Sequence, residues 1–307
     1  MNNKTLQQLV DKNFNNYKKG KVADYIPALA KVNPKQLGIT IYDLKNNDRI
    51  QAGDVDVRFA IESMSKVPVL LLAIKDRGIK KVFETINTEP TGFAFNSIMN
   101  MEINHRKHPM NPFVNAGAIA TTSLINGKDA KEKFERILAF MREICDDPDI
   151  TLNKEIYQSE AKTGDINRSL AYYMKGNQMI EEVPETLEAY FKQCSVDVTA
   201  TGMAKLAAVL ANKGVAPWSN QRIVSEESAT IVKSIMTTAG LYDESGEFSV
   251  HVGVPAKSGV GGGLMAAVPN SYGIGVFSPA LDNCGNSVAG IQLLKDIVQE
   301  LDLDIFK

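Results

Sequence analysis

Cysteine is scarce in this chain, and what there is does not pair. Its three cysteines, Cys145, Cys194 and Cys284, are odd in number and far apart, which argues against a disulfide framework and against a cysteine zinc cluster. Histidine is as rare. His105, His108 and His251 fall at no ligand spacing with the cysteines, and His105-x-x-His108 beside Pro109 reads as a loop. No structural metal is expected. Long hydrophobic runs are also missing, and none approaches the length that spans a bilayer. The start, Met1-Asn2-Asn3-Lys4-Thr5-Leu6-Gln7-Gln8, lacks the apolar stretch of a secretory signal. An excess of one charge is absent too: a net charge of -2 over 307 residues favours neither nucleic acid nor an acidic membrane surface. The sequence shows no internal repeat, low-complexity tract or obvious linker. The expectation is a soluble cytoplasmic protein with no metal, nucleic-acid or membrane partner.

What is present is an ordinary globular balance, 44% hydrophobic and 23% charged, in a length that suits one large domain or two smaller ones. Residues 4–18 carry Leu6, Leu9, Val10, Phe14 and Tyr17 at helical spacing. Residues 37–44 alternate like a half-buried strand, turn at 45–48 and return through 49–53 as a hairpin. Helical spacing dominates 79–235, with segments at 130–144, 170–175, 185–192, 198–213 and 226–237. Two polar stretches, 104–118 and 159–169, read as binding loops. After Gly240 the pattern returns to strand: 249–256, 261–268 and 272–277, before a last helix at 286–301. Strand signals at both ends around a helical middle predict an α/β (α+β) fold with an antiparallel sheet built from both termini and flanked by helices. The division expected is a sheet domain of 1–78 and 236–307, an inserted all-helical domain of 79–235, and a catalytic site between them.

The chain is organised around Phe59-Ala60-Ile61-Glu62-Ser63-Met64-Ser65-Lys66, which runs into the apolar stretch 67–74. If Ser63 opens a helix, Lys66 lies one turn on and on the same face. A neutral lysine there would take the serine's proton, and the free N–H groups of the first turn would face a developing oxyanion. The bland alternative is a capping Ser63 or Ser65 and a solvated lysine. Far downstream, Lys257-Ser258-Gly259 ends a predicted strand. Together with Ser-x-x-Lys it makes the two-part pattern of the serine β-lactamase and penicillin-binding fold. Ser-Asp-Asn and a Glu-x-x-Leu-Asn loop are missing, so the fold is expected without β-lactam chemistry.

Longer matches are more specific. Lys21-Val22-Ala23-Asp24-Tyr25-Ile26-Pro27, Asn111-Pro112-Phe113-Val114-Asn115-Ala116-Gly117, Gly164-Asp165-Ile166-Asn167-Arg168, Tyr190-Phe191-Lys192-Gln193-Cys194-Ser195, Leu241-Tyr242-Asp243-Glu244-Ser245-Gly246 and Pro255-Ala256-Lys257-Ser258-Gly259-Val260 resemble the serine-dependent glutaminase family over nearly the whole chain, in its compact bacterial form. The resemblance implies hydrolysis of L-glutamine to L-glutamate and ammonia without any cofactor, by a homo-oligomer, dimer or tetramer. It implies Ser63 as nucleophile, Lys66 as its partner, and Tyr242 as the phenol that passes a proton to the leaving ammonia. The backbone N–H of Val260, with that of Ser63, would form the oxyanion hole. Asn115, Glu160, Asn167 and Tyr190 would hold the amino-acid end, with Tyr25 a further pocket tyrosine and Lys257, Ser258 and Gly259 in support.

These roles make physical sense. One acid, Glu160, suits the substrate ammonium, while amides and hydroxyls suit its carboxylate. For Lys66 to be a base, burial and a nearby cation such as Lys257 must favour its neutral form. If it stays charged, it lowers the pKa of Tyr242 and the phenolate becomes the base. Both routes stay open at this level. So do two other functions: another Ser-x-x-Lys amidase or esterase of the same fold, and a glutamine-binding protein without turnover.

Overall fold

The computed structural model describes residues 1–103 and 108–307, without the side chains of Asn100 and Ile103. The His105 member of the histidine pair lies outside the described residues. Helix α1 (Asn3–Phe14) is capped by the Asn2 side chain on Thr5 N–H and turns Leu6 and Val10 inward. The hairpin β1 (Gly38–Asp43) and β2 (Asp48–Gly53) follows as expected. A two-residue strand, β3 (Phe59–Ala60), leads to α2 (Lys66–Arg77), α3 (Ile79–Thr85) and α4 (Met99–Ile103).

Then come α5 (Asn115–Ser123), α6 (Ala130–Cys145), β4 (Thr151–Leu152), α7 (Lys154–Thr163), α8 (Asp165–Gly176) and α9 (Val183–Cys194). Strand β5 (Val196–Val198) precedes α10 (Ala200–Ala211), α11 (Glu226–Ala239) and α12 (Ser245–His251). The chain closes with β6 (Ala256–Ser258), β7 (Gly263–Val268), β8 (Tyr272–Phe277) and α13 (Val288–Leu301).

The main sheet is antiparallel, in the order β2-β1-β8-β7-β6, so its strands come from both ends of the chain. Gly38 pairs with Phe277 and Asp43 with Tyr272. Helix α10 lies directly on this sheet, and a Cβ at Gly275 would stand 2.1 Å from the Ala200 carbonyl oxygen. Only glycine on the strand, facing alanines on the helix, allows that approach. Helices α1 and α13 enclose an apolar core on the sheet with Leu6, Ile39, Leu264, Ile274 and Leu293. A separate core of Ile119, Leu170, Met174, Val183, Tyr190 and Phe191 sits among α5, α8 and α9. No helix among the described residues is long and apolar enough to cross a membrane.

Three local readings change. The expected strand at 249–256 starts as the last turn of helix α12 and reaches strand only at Ala256, because its first apolar residues follow helical rather than alternating spacing. Phe248 and Val252, four apart, are buried, while Val250 between them is 77% exposed. Ser245 Oγ starts the turn by accepting from Leu241 N–H at 2.9 Å and donating to the Tyr242 carbonyl at 2.9 Å. The stretch 104–118 ends in α5, whose first residue is Asn115. The stretch 159–169 is two helices, α7 and α8, broken at Gly164. Asn115 and Gly164 stand at helix boundaries there rather than in open loops, without a side-chain cap. A second small sheet, β3-β5-β4, has no counterpart in the sequence reading, since its strands are only two or three residues long.

Candidate active site

The site begins where β3 ends. Ile61 N–H donates to the Val196 carbonyl at 2.8 Å, which pins the chain to β5. Residues Glu62–Ser65 form a single 3-10 turn, and α2 continues from it. All eight residues 67–74 of α2 are buried, as in a helix packed on every side. Ser63 and Lys66 therefore stand one turn apart on a rigid support. The capping alternative does not hold: neither the 3-10 turn nor α2 has a side-chain cap, and Ser65 Oγ lies 3.9 Å from Cys194 Sγ instead.

Nor is Lys66 solvated. It is 2% exposed, and Nζ donates at 2.8 Å to both the Phe113 carbonyl and Asn115 Oδ1. A neutral amine has two N–H donors and one lone pair, so these bonds use both donors and leave the lone pair free. Burial brings the Lys66 pKa down to about 8. Lys257 is fully buried and is pushed well below the ordinary lysine range, first by burial and then by Lys66. The expected influence runs the other way: Lys66 depresses Lys257, and burial alone lowers Lys66. Burial raises the Tyr242 phenol, which faces the side chains of Ser63 and Ser258. Burial thus favours a protonated phenol on Tyr242 and a neutral amine on Lys66.

The edge strand β6 brings the second motif alongside. Lys257 Nζ donates to the Ser258 carbonyl at 2.6 Å and stands 4.5 Å from the centre of the Tyr242 ring. Gly259 packs so tightly on the nucleophile turn that a Cβ would lie 2.7 Å from the Ile61 carbonyl oxygen. The N–H groups of Ser63 and Val260 find no acceptor among the described residues. Two free donors beside a serine hydroxyl suit an oxyanion. Ser258 Oγ donates to Asn286 Oδ1 at 2.6 Å, and Asn286 Nδ2 in turn donates to Glu244 Oε2 at 2.7 Å.

Ser63 opens onto a cavity of about 440 Å³. Of the residues predicted for the substrate, Tyr25, Ser63, Asn115, Glu160, Asn167, Tyr190 and Val260 line it. Lys66, Tyr242, Lys257, Ser258 and Gly259 are not on its wall. Asn115 joins the two groups. Its Oδ1 accepts from Lys66, while its Nδ2 donates to Asn167 Oδ1 at 2.9 Å. Burial raises Glu160 to about 7, against the pull of Lys66. Tyr190 is buried, whereas Tyr25 is 57% exposed and covers the cavity from outside.

The wall also holds Ile26, Glu62, Phe95, Asn96, Thr163, Ile166 and Cys194, which the sequence did not single out. Phe95 presents its carbonyl to Asn115 N–H at 2.8 Å and its ring to that of Tyr242, centroids 4.8 Å apart. Asn111 Oδ1 accepts from the Phe113 and Val114 amides at 2.9 and 3.1 Å, which aims the Phe113 carbonyl at Lys66. Glu62 and Tyr242 both sit in the left-handed region, at φ 47° and 52°, a strain of about 1–2 kcal/mol each for L-residues. Elsewhere, Glu244, Asp282 and Cys284 approach within 4.8 Å of one another. Glu244 and Asp282 line a second cavity of about 400 Å³ under α12 and α13, and both already accept hydrogen bonds from Asn286.

Comparison with known proteins decides the family. The glutaminase family pattern matches residues 20–306. This chain belongs to the glutaminase family. Glutaminase 1 of Clostridium perfringens is 64% identical over 303 residues, covering 98% of this chain and 99% of that one. Glutaminase 2 of the same organism is 52% identical over 302 residues, covering 98% and 99%. Among solved structures, the Bacillus subtilis glutaminase in covalent complex with 5-oxo-L-norleucine is 37% identical with a TM-score of 0.90, covering 99% of each chain. These glutaminases share the β-lactamase-like arrangement of sheet and helices that the paired motifs predict.

Proposed function

We propose that this protein hydrolyses L-glutamine to L-glutamate and ammonia through an acyl-enzyme on Ser63. The observation that carries this reading is Lys66: buried, lowered to about 8, bonded through two donors only, and one turn from a serine that opens onto a cavity sized for an amino acid. Lys66 Nζ takes the hydroxyl proton as Ser63 Oγ attacks the side-chain amide carbon. The Val260 and Ser63 N–H groups receive the oxyanion. Tyr242 Oη passes its proton to the departing ammonia and is reprotonated by the Lys66 ammonium that Ser63's proton created, which returns Lys66 to the neutral amine. Water then attacks the glutamyl ester, Ser63 regains its proton, and L-glutamate leaves. Asn115, Asn167 and Tyr190 hold the α-carboxylate end, Glu160 meets the ammonium, and Tyr25 covers the pocket. No step calls for a metal or organic cofactor.

The core among α5, α8 and α9 supports a helical insertion within 79–235 beside a sheet domain of 1–78 with 236–307, while α10 from the same stretch packs on the sheet and shares a core with α2 and β7. Resemblance to the compact bacterial form supports a cytoplasmic homo-oligomer, dimer or tetramer, which sedimentation equilibrium tests. The decisive assay is ammonia release from L-glutamine, beside L-asparagine and nitrocefin, for wild type and Ser63→Ala. Glutamine turnover lost in the variant is the expected result. Nitrocefin turnover with silent glutamine would replace this reading with a β-lactamase-like one. Saturable glutamine binding without ammonia would make the protein a binder.

A further inference from the structure

Glu62 is the unexplained group in this pocket. It is 4% exposed, directly precedes the nucleophile, and lines the same cavity as Glu160. Its Oε1 is buried and has no hydrogen-bond partner among the described residues. The lysine that faces it, Lys66, gives its bonds to Phe113 and Asn115 instead. An orphaned carboxyl in a cavity lacks a donor that a ligand would bring. The left-handed backbone of Glu62, at φ 47°, holds it there as part of the tight turn rather than letting it rotate out to water.

We propose that Glu62 is a second carboxylate ligand for the ammonium of the substrate, and that it gives up a proton to solvent when glutamine binds. The inference rests on the glutamine reading above. In the empty site, Glu62 and Glu160 are like charges in one buried pocket, so one of them stays neutral. The groups facing Glu62 fit this account. Glu160 on α7 repels its charge, Lys66 on α2 attracts it, and Tyr190 and Cys194 on α9, with Tyr25 and Tyr242, are held neutral around it. Burial and then Glu160 lift Glu62 well above the ordinary carboxylate range. An arriving ammonium reverses the balance: its charge offsets both carboxylates and its N–H donors satisfy the orphan oxygen. The proton leaves Glu62 for bulk water, and the site gains one negative charge against one bound positive charge.

The test is calorimetric titration of L-glutamine into Ser63→Ala, which binds without turnover, in two buffers of different ionisation enthalpy. Working about one pH unit above the value of about 7 at which Glu160 titrates keeps the contribution of Glu160 small. Proton release per glutamine should fall by about one when Glu62→Gln is added to Ser63→Ala, because the pKa difference between free and bound states fixes the linkage. Equal release in both proteins would overturn the proposal. If the Glu62→Gln protein does not fold, zero release from Ser63→Ala alone would overturn it. As a second readout, wild-type KM for glutamine should rise as pH falls, and Glu62→Gln should flatten that slope while changing kcat less. Absence of glutamine binding and of wild-type ammonia release would instead overturn the glutaminase reading itself.

Discussion

The reacting half of the pocket and the recognising half are built on opposite principles. Around Ser63, two lysines and a tyrosine are crowded with backbone carbonyls, and burial pushes every one of them toward its neutral form. On the cavity wall, Asn115 and Asn167 are bonded to each other, and two carboxyls, Glu62 and Glu160, are raised by the same burial. One half has shed its positive charge so that an amine can act as a base. The other holds acid groups whose charged forms a bound cation would favour. The difference teaches how one dry pocket can do proton transfer at one end and hold a zwitterion at the other: desolvation is shared, and only the sign of the groups differs.

The comparison breaks most sharply at the nucleophile. Ser63→Ala should lower kcat by at least about 10³-fold, the order lost when an acyl-transfer enzyme loses its serine. Glutamine should still raise the melting temperature of the variant, since the recognising half is untouched. Residual turnover near the wild-type rate would show that Ser63 does not form the ester. Glu160→Gln attacks the other half. It should raise KM by about 10–100-fold with a smaller change in kcat, because a buried ion pair with the substrate is lost while the reacting groups remain. A pure kcat effect would move Glu160 to the reacting side.

The pH profile sharpens the contrast with an effect of about tenfold per unit. The proposed route uses Lys66 as a neutral amine, and its pKa is lowered to about 8. Below that value the protonated, inactive form dominates, so kcat/KM should fall about tenfold per pH unit on the acid side and level off above about 8. Glu160, raised to about 7, must be ionised to bind an ammonium and steepens the same limb. A profile flat down to about pH 6 would contradict both assignments.

Much of this was legible, and the rest has physical reasons for being hidden. Ser63 and Lys66 show themselves because a helix turn puts spacing directly into space. The sheet from both termini shows itself because β1, β2, β7 and β8 are strand-length runs bounded by tight polar turns. Glu62 was passed over because a glutamate beside an apolar run reads as a surface residue, and its burial is set by Glu160 and α9, far away in sequence. Nothing local marks the left-handed backbone of Glu62 or Tyr242, since glycine and asparagine are the usual occupants. Asn115 reads as a loop residue because the stretch 104–118 is rich in Asn, Pro and Gly; Asn111 and Phe95 fix it at a helix start. The strands of the β3-β5-β4 sheet are too short to carry any period.

The smallest expected effect concerns Asn286, which touches neither the cavity nor Ser63 yet links the reacting half to the sheet. Its Oδ1 accepts from Ser258 Oγ at 2.6 Å, and its Nδ2 donates to Glu244 Oε2 at 2.7 Å. Ser258 carries the carbonyl that accepts from Lys257 Nζ at 2.6 Å and faces the Tyr242 hydroxyl at 3.5 Å. Asn286→Ala strips the partner from a buried Ser258 hydroxyl, which costs about 1–3 kcal/mol of stability. Because the strand rather than Asn286 fixes the Ser258 carbonyl, kcat should drop only about two- to fivefold and KM should stay near wild type. Chemical denaturation and steady-state kinetics on the same preparation separate the two. A KM change matching that of Glu160→Gln would mean that the two halves are mechanically coupled through α13, and the division drawn between them would fail.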